Sequence, residues 1–176
     1  IDPKAGLLVL DAGSQAKADE TMTALVTAID GLAVQLVDTQ TSPAAAMSEW
    51  LSTREAPSGF SVDRECELKA PDESRAVVRY TRHALDTDEV SQHIAAGKVP
   101  TRLALTWNDR VSFVLTEALQ LKKLALLDVV LENKPAAAGD GKDDGFDTDV
   151  AIATGELRQL LPALMEALGG EIAQPG

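Results

Sequence analysis

Aromatic side chains make up only 3% of the 176 residues, so any core has to be assembled from Leu, Val, Ala and Ile. That is feasible, because apolar residues reach 45% and the chain is not disordered by composition. There is one cysteine, Cys66, which rules out an internal disulfide and fits a reducing, cytoplasmic compartment. His83 and His93 stand ten residues apart with no second cysteine to join them, so a zinc site is not expected. No apolar run is long enough to cross a membrane, and the longest candidate, Leu124 to Leu131, is broken by Asp128. Ile1-Asp2-Pro3, with no initiator Met and no signal-peptide pattern, reads as the interior of a longer protein.

Chemical signatures are missing as well. Gly97-Lys98 lacks the upstream glycine of a phosphate loop, and Val99 stands where a hydroxyl is needed. The acidic run from Asp140 to Asp149 fails as a calcium loop, since Lys142 and Ala151 fall on ligand positions. Cys66 has no neighbouring His in sequence and reads as a small core residue. Nothing resembles a nucleophile elbow or a metalloprotease helix. No cofactor or metal is implied, and an enzyme would have to be built from residues dispersed along the chain.

Positive charge is scarce overall, with 16 Lys and Arg against 28 Asp and Glu and a net charge of −12. Its distribution is uneven. Between Arg75 and Lys123, 8 basic residues outnumber 5 acidic ones, a local balance of +3 against −15 for the remainder. Such a segment suits a localised anionic partner, and on charge alone a salt-bridged surface with no partner explains it equally well.

The stretch that organises the chain is Leu103 to Asp128, "LALTWNDRVSFVLTEALQLKKLALLD". Leu103, Leu105 and Trp107 alternate with polar residues. Asn108-Asp109 supplies a turn, and Val111, Phe113 and Leu115 resume the apolar face. A third strand is predicted from Leu119 to Leu124. Period-two alternation predicts an antiparallel meander with one buried face. Arg102, Arg110 and Lys122 then fall on the polar face as a basic stripe, with Lys123 beside them.

Upstream, "GLLVLD" from Gly6 to Asp11 reads as a buried strand, Ser14 as the cap of a helix to Asp30, and Ala33 to Val37 as a second strand. Ala18, Met22, Leu25, Val26 and Ile29 share one helical face, and Gly31 stops the helix. Ser42 with Pro43 opens another helix, whose apolar edge is Met47, Trp50 and Leu51. Trp50 at that spacing reads as core rather than as a binding aromatic. Strands are predicted at Phe60 to Lys69 and Ala76 to Thr81. A capping box at Asp86 and Glu89 opens a helix through Ala96, with Val90 and Ile94 buried and Gly97 as its stop. The fold class is α+β: an antiparallel sheet with flanking helices over residues 1–132, a flexible linker over 133–145, and a C-terminal helical segment over 146–176. Thr154-Gly155 is a point where that last helix can kink.

Several segments together resemble the recombination-associated protein RdgC family. They are Glu49-Trp50-Leu51, Gly59-Phe60, "ECELK" from Glu65, "HIAAGK" from His93, "LALTWNDRVSFVL" from Leu103, "LKKL" from Leu121, "FDTDVAIATGEL" from Phe146 and "LGGE" from Leu168. The resemblance covers nearly the whole chain but only the later and larger part of the family's length. It implies a nucleoid-associated, non-enzymatic protein. It also implies a ring-shaped homodimer whose basic hole admits duplex DNA without marked sequence preference and which restrains RecA-driven strand exchange. The family's basic positions around "VVRYTRHAL" match Arg79 and Arg82, whereas Thr81 stands where relatives often carry another basic residue. The candidate nucleic-acid-binding set is therefore Arg79, Arg82, Lys98, Arg102, Arg110, Lys122 and Lys123. The competing reading is a protein-interaction module that contacts RecA or another partner through its acidic surface. Clustering of the basic residues on one face favours the first.

Overall fold

The structure, a computed structural model, describes residues 1–132 and 142–172. The chain divides into two compact units, Ile1–Val37 and Asp38–Gly176.

The first unit holds one helix, α1 (Gln15–Ala28), capped by Ser14, whose Oγ accepts from the Lys17 amide at 3.3 Å. Gly31 follows with φ +75°. The two expected flanking strands are not there. Residues 6–11 offer only a bridge between Asp2 and Leu7, and residues 33–37 form no ladder. An apolar run becomes a strand only where another strand satisfies its amides and carbonyls, and within this unit none does. No residue of the unit is buried, and Val26 and Ile29 on the apolar side of α1 stay exposed.

The second unit carries the core. Helix α2 (Pro43–Thr53) begins as expected, with Ser42 Oγ accepting from the Ala45 amide and Pro43 in the first turn, where its missing N–H costs nothing. Strands β1 (Phe60–Lys69) and β2 (Val77–Thr81) follow, then helix α3 (Asp88–Ala95). Thr87, not Asp86, is the residue before α3, and its side chain makes no capping bond, so the expected capping box is not formed. Strands β3 (Val99–Trp107), β4 (Val111–Thr116) and β5 (Leu121–Leu126) complete an antiparallel sheet in the order β2-β1-β3-β4-β5. The third meander strand thus starts two residues later than expected, because Leu119 sits in the turn with φ +56°.

The β3–β4 hairpin turns on Asn108 and Asp109, both with positive φ (+47° and +54°), the pairing that matches the right-handed twist of the strands. Gly59 packs under this turn. Its φ is +81°, its carbonyl accepts from the Asn108 amide at 2.8 Å, and a Cβ there would lie 3.1 Å from Asn108 Oδ1. At the far edge, β4 and β5 slip register between Ser112 and Val114, with Lys123 at φ +52° on the β5 side of the bulge.

One face of the sheet is apolar. Phe60, Cys66, Leu68 and Tyr80 join Leu103, Leu105, Trp107, Val111, Phe113 and Leu115 in a single cluster with Met47, Trp50 and Leu51 of α2. The opposite face is not uniformly open, since Ala104, Val114 and Thr116 are buried there too. A short helix, α4 (Asp128–Leu131), follows β5.

The last helix, α5 (Lys142–Ala167), runs without a break through Thr154-Gly155. Residues 142–145 of the expected linker belong to it, and the linker's other residues, 133–141, lie outside the described residues. Leu160, Leu164 and Leu168 line one side at helical spacing and enter the core cluster. Each fully buried leucine of this kind contributes about 1.5–3 kcal/mol. Helix α5 ends in a paired C-terminal motif: the Gly169 amide donates to the Glu166 carbonyl and the Gly170 amide to the Met165 carbonyl, with positive φ at both glycines.

Candidate nucleic-acid interface

Alternation along β1 places Phe60, Val62, Cys66 and Leu68 toward the core and Ser61, Asp63, Glu65 and Glu67 on the other side. Register then fixes what meets them. Glu67 is the cross-strand partner of Arg79 on β2 and of Arg102 on β3, and Arg102 in turn faces Thr116 on β4. One row across four strands therefore reads Arg79, Glu67, Arg102, Thr116. Lys122 on β5 faces Val114, which faces Ala104, so Lys122 shares the face of Arg102.

The row is tightly bonded at its centre. Arg79 Nε donates to Glu67 Oε2 at 2.5 Å, and Thr101 Oγ1 donates to Glu67 Oε1 at 2.8 Å. Burial pushes the Glu67 carboxyl up, but the hydrogen bonds from Thr101 and Arg79 and the charges of Arg79 and Arg102 outweigh it and hold it below the usual range. Nearby, Lys123 Nζ reaches Glu65 Oε1 at 2.7 Å, across the intervening β3 and β4, and Thr106 Oγ1 donates to Asp63 Oδ2 at 2.8 Å.

Of the seven basic residues picked out in the sequence, the structure brings Arg79, Arg102, Lys122 and Lys123 to this face. Arg102 and Lys122 are exposed and, among the described residues, enter no ion pair. Arg79 and Lys123 are exposed but already matched by Glu67 and Glu65.

The other three lie apart. Arg110 does not join the stripe. Its guanidinium donates twice to Glu156 on α5, from Nε at 2.8 Å and from Nη2 at 2.5 Å, and α5 packs with the apolar core. Hydrogen bonds from Arg110 hold the Glu156 carboxyl low despite its burial. Lys98, half-buried where α3 meets β3, has its ammonium 3.3 Å from His93 Nδ1. Arg82 is exposed just beyond β2, in a left-handed conformation with φ +56°.

Counting charge along the segment from Arg75 to Lys123 missed Asp63, Glu65 and Glu67, which the fold returns to the same face from β1. Their signal was present in the alternation of "FSVDRECELK". Glu156 had no comparable signal, because it meets Arg110 only through tertiary packing.

These features define an α+β protein whose antiparallel sheet buries one face under helices and presents interleaved bases and acids on the other. A family model described as "Putative exonuclease, RdgC" matches residues 1–171. The recombination-associated protein RdgC of Herminiimonas arsenicoxydans is 51% identical over 174 residues, covering 99% of this chain and 58% of that protein. The protein of the same name from Dechloromonas aromatica (strain RCB) is 49% identical over 177 residues, with the same two coverages. That from Bordetella pertussis is 52% identical over 164 residues, or 93% of this chain and 54% of that protein. The chain belongs to the RdgC family, and it spans somewhat over half the length of these relatives.

Proposed function

We propose that the polar face of the sheet is a duplex-DNA-binding surface that contacts the phosphate backbone without reading sequence. In this reading the whole protein closes as a homodimeric ring around DNA in the nucleoid and restrains RecA-driven recombination. The observation that carries it is the placement of Arg102 and Lys122, exposed and in no ion pair among the described residues, on one face with Arg79 and Lys123. Backbone contacts of this type fix position and carry no sequence information. A strongly acidic remainder keeps DNA off other surfaces. The relatives' name, recombination-associated protein, supports the role in recombination.

The nuclease named in the family model's description makes a different demand, since hydrolysis of phosphodiesters draws on carboxylates grouped around metal ions. Among the described residues no group of three or more His, Cys, Asp or Glu is placed to hold one. The carboxylates of the sheet face are instead each bonded to a base or a hydroxyl. We propose the non-enzymatic reading.

Fluorescence anisotropy of a random duplex, titrated with the full-length protein at several salt concentrations, tests both readings. Replacing Arg102 and Lys122 together by Ala should weaken binding to all sequences alike and flatten the log–log salt slope by roughly two units. An unchanged slope and affinity would leave a solvated face and return the interaction-module reading. Shortening of an end-labelled duplex by the purified protein in Mg²⁺ or Mn²⁺ would overturn the non-enzymatic one.

A further inference from the structure

Two of the four bases on the sheet face are neutralised within the chain, and the two pairs differ in how easily they open. Glu67 is fixed. Its side chain is 13% exposed, Thr101 Oγ1 holds one oxygen at 2.8 Å, and Thr101 is itself buried. Its partner Arg79 is free to move, with a side chain 69% exposed. In the second pair the base is about as open, Lys123 at 66%, and the carboxylate is more open, Glu65 at 37%. The face therefore carries one immobile carboxylate between Arg79 and Arg102, and one more mobile carboxylate held by Lys123.

We infer that Glu65 and Glu67 act as built-in counterions that compete with DNA phosphate for Lys123 and Arg79 and set the strength of binding at this face. The inference rests on the DNA-binding reading above and concerns its regulation. A phosphate approaching Arg79 meets the fixed Glu67 charge behind it, and a phosphate approaching Lys123 has to displace Glu65. Both costs are Coulombic and grow as salt is lowered. A base paired in this way adds less to the salt dependence than a bare one, because the pair presents no net charge to the DNA. Binding at this face is then weaker than the count of lysines and arginines suggests.

The arrangement has an order. Glu67 cannot turn away without losing Thr101, so its charge persists when Arg79 swings out to a phosphate. Glu65 can follow solvent once Lys123 leaves. Removing the charge at 67 should therefore matter more than removing it at 65. Gln is the appropriate replacement, since its amide oxygen still accepts from Thr101 and its size is unchanged.

The test uses the full-length protein and a random duplex in the same salt titration, with Glu67→Gln, Glu65→Gln and the double variant, and with thermal unfolding to confirm that each is folded. Each single change should steepen the slope by up to about 0.9 units per freed base. Each should also tighten binding at low salt by roughly three- to tenfold, E67Q more than E65Q. Weaker binding by a folded E67Q would mean that Glu67 positions Arg79 for DNA instead of competing for it. Affinities equal to the parent's would mean that the pairs open without consequence. Either result overturns the inference while leaving the DNA-binding reading intact. A parent protein with no salt-dependent binding would overturn that reading and the inference with it.

Discussion

Arg110, in the β3–β4 turn, and Glu156, one helical turn before Leu160 on α5, are joined by two hydrogen bonds between guanidinium and carboxylate. The Glu156 side chain is only 8% exposed, so its charge relies on that fork. The pair pins the long helix to the hairpin at the point where the leucine stripe begins.

Replacing Arg110 by Ala should therefore act on stability and not on DNA. It leaves a buried carboxylate without its partner, one of the few ways a single change destabilises strongly. We expect the thermal midpoint to fall by on the order of a few degrees, with the salt slope of DNA binding unchanged. A change in slope with an unchanged midpoint would place Arg110 on the DNA side after all.

The same pair makes stability depend on pH on the acid side. The folded-state pKa of Glu156 is depressed, first by the Arg110 hydrogen bonds. The stabilisation is therefore fully present above the ordinary glutamate value of about 4.3 and is lost as pH falls through the depressed one. Urea unfolding of the parent should weaken below about pH 4.5, and Glu156→Gln should be less stable at neutral pH with a flatter acid decline. Parallel acid profiles for the two proteins would show that other carboxylates dominate.

Cys66 is buried on β1, and burial pushes its thiol up to about 12. The reactive thiolate is then almost absent at neutral pH. A chromogenic disulfide reagent should titrate close to no thiol in the native protein and one per chain in denaturant. Rapid reaction of the folded protein would show that the core around β1 opens.

Gly59→Ala should loosen the hairpin from below. The φ of +81° is unfavourable for a residue with a Cβ, at about 1–2 kcal/mol. The new methyl would also press on Asn108, whose own left-handed φ the turn requires. A lower midpoint in denaturant with an unchanged m-value is the expected result. An unchanged midpoint would mean that the turn shifts freely.

Much of the second unit was legible because its signals are local. Ser42-Pro43 marks the start of α2, the alternation of "FSVDRECELK" marks β1 residue for residue, and two turn-formers at Asn108 and Asp109 mark the hairpin. The strands expected at residues 6–11 and 33–37 were misread because a strand is a property of two segments, and hydrophobicity along one cannot report a missing partner. The basic stripe was half right for a related reason. Alternation gives the face of Arg102 and Lys122, whereas a residue at a turn, such as Arg110, is directed by whatever lies within reach, here a glutamate 46 positions away.

The bulge at Lys123 has a meaning of its own at the rim of the sheet. Among the described residues strand β5 has no neighbour beyond it, so its outer backbone groups form a template on which another extended chain could add. A left-handed residue in the middle of that rim, next to the exposed Lys122, which enters no ion pair among the described residues, interrupts the template. The bulge that turns Lys123 therefore also makes this rim a poor partner for a further extended strand.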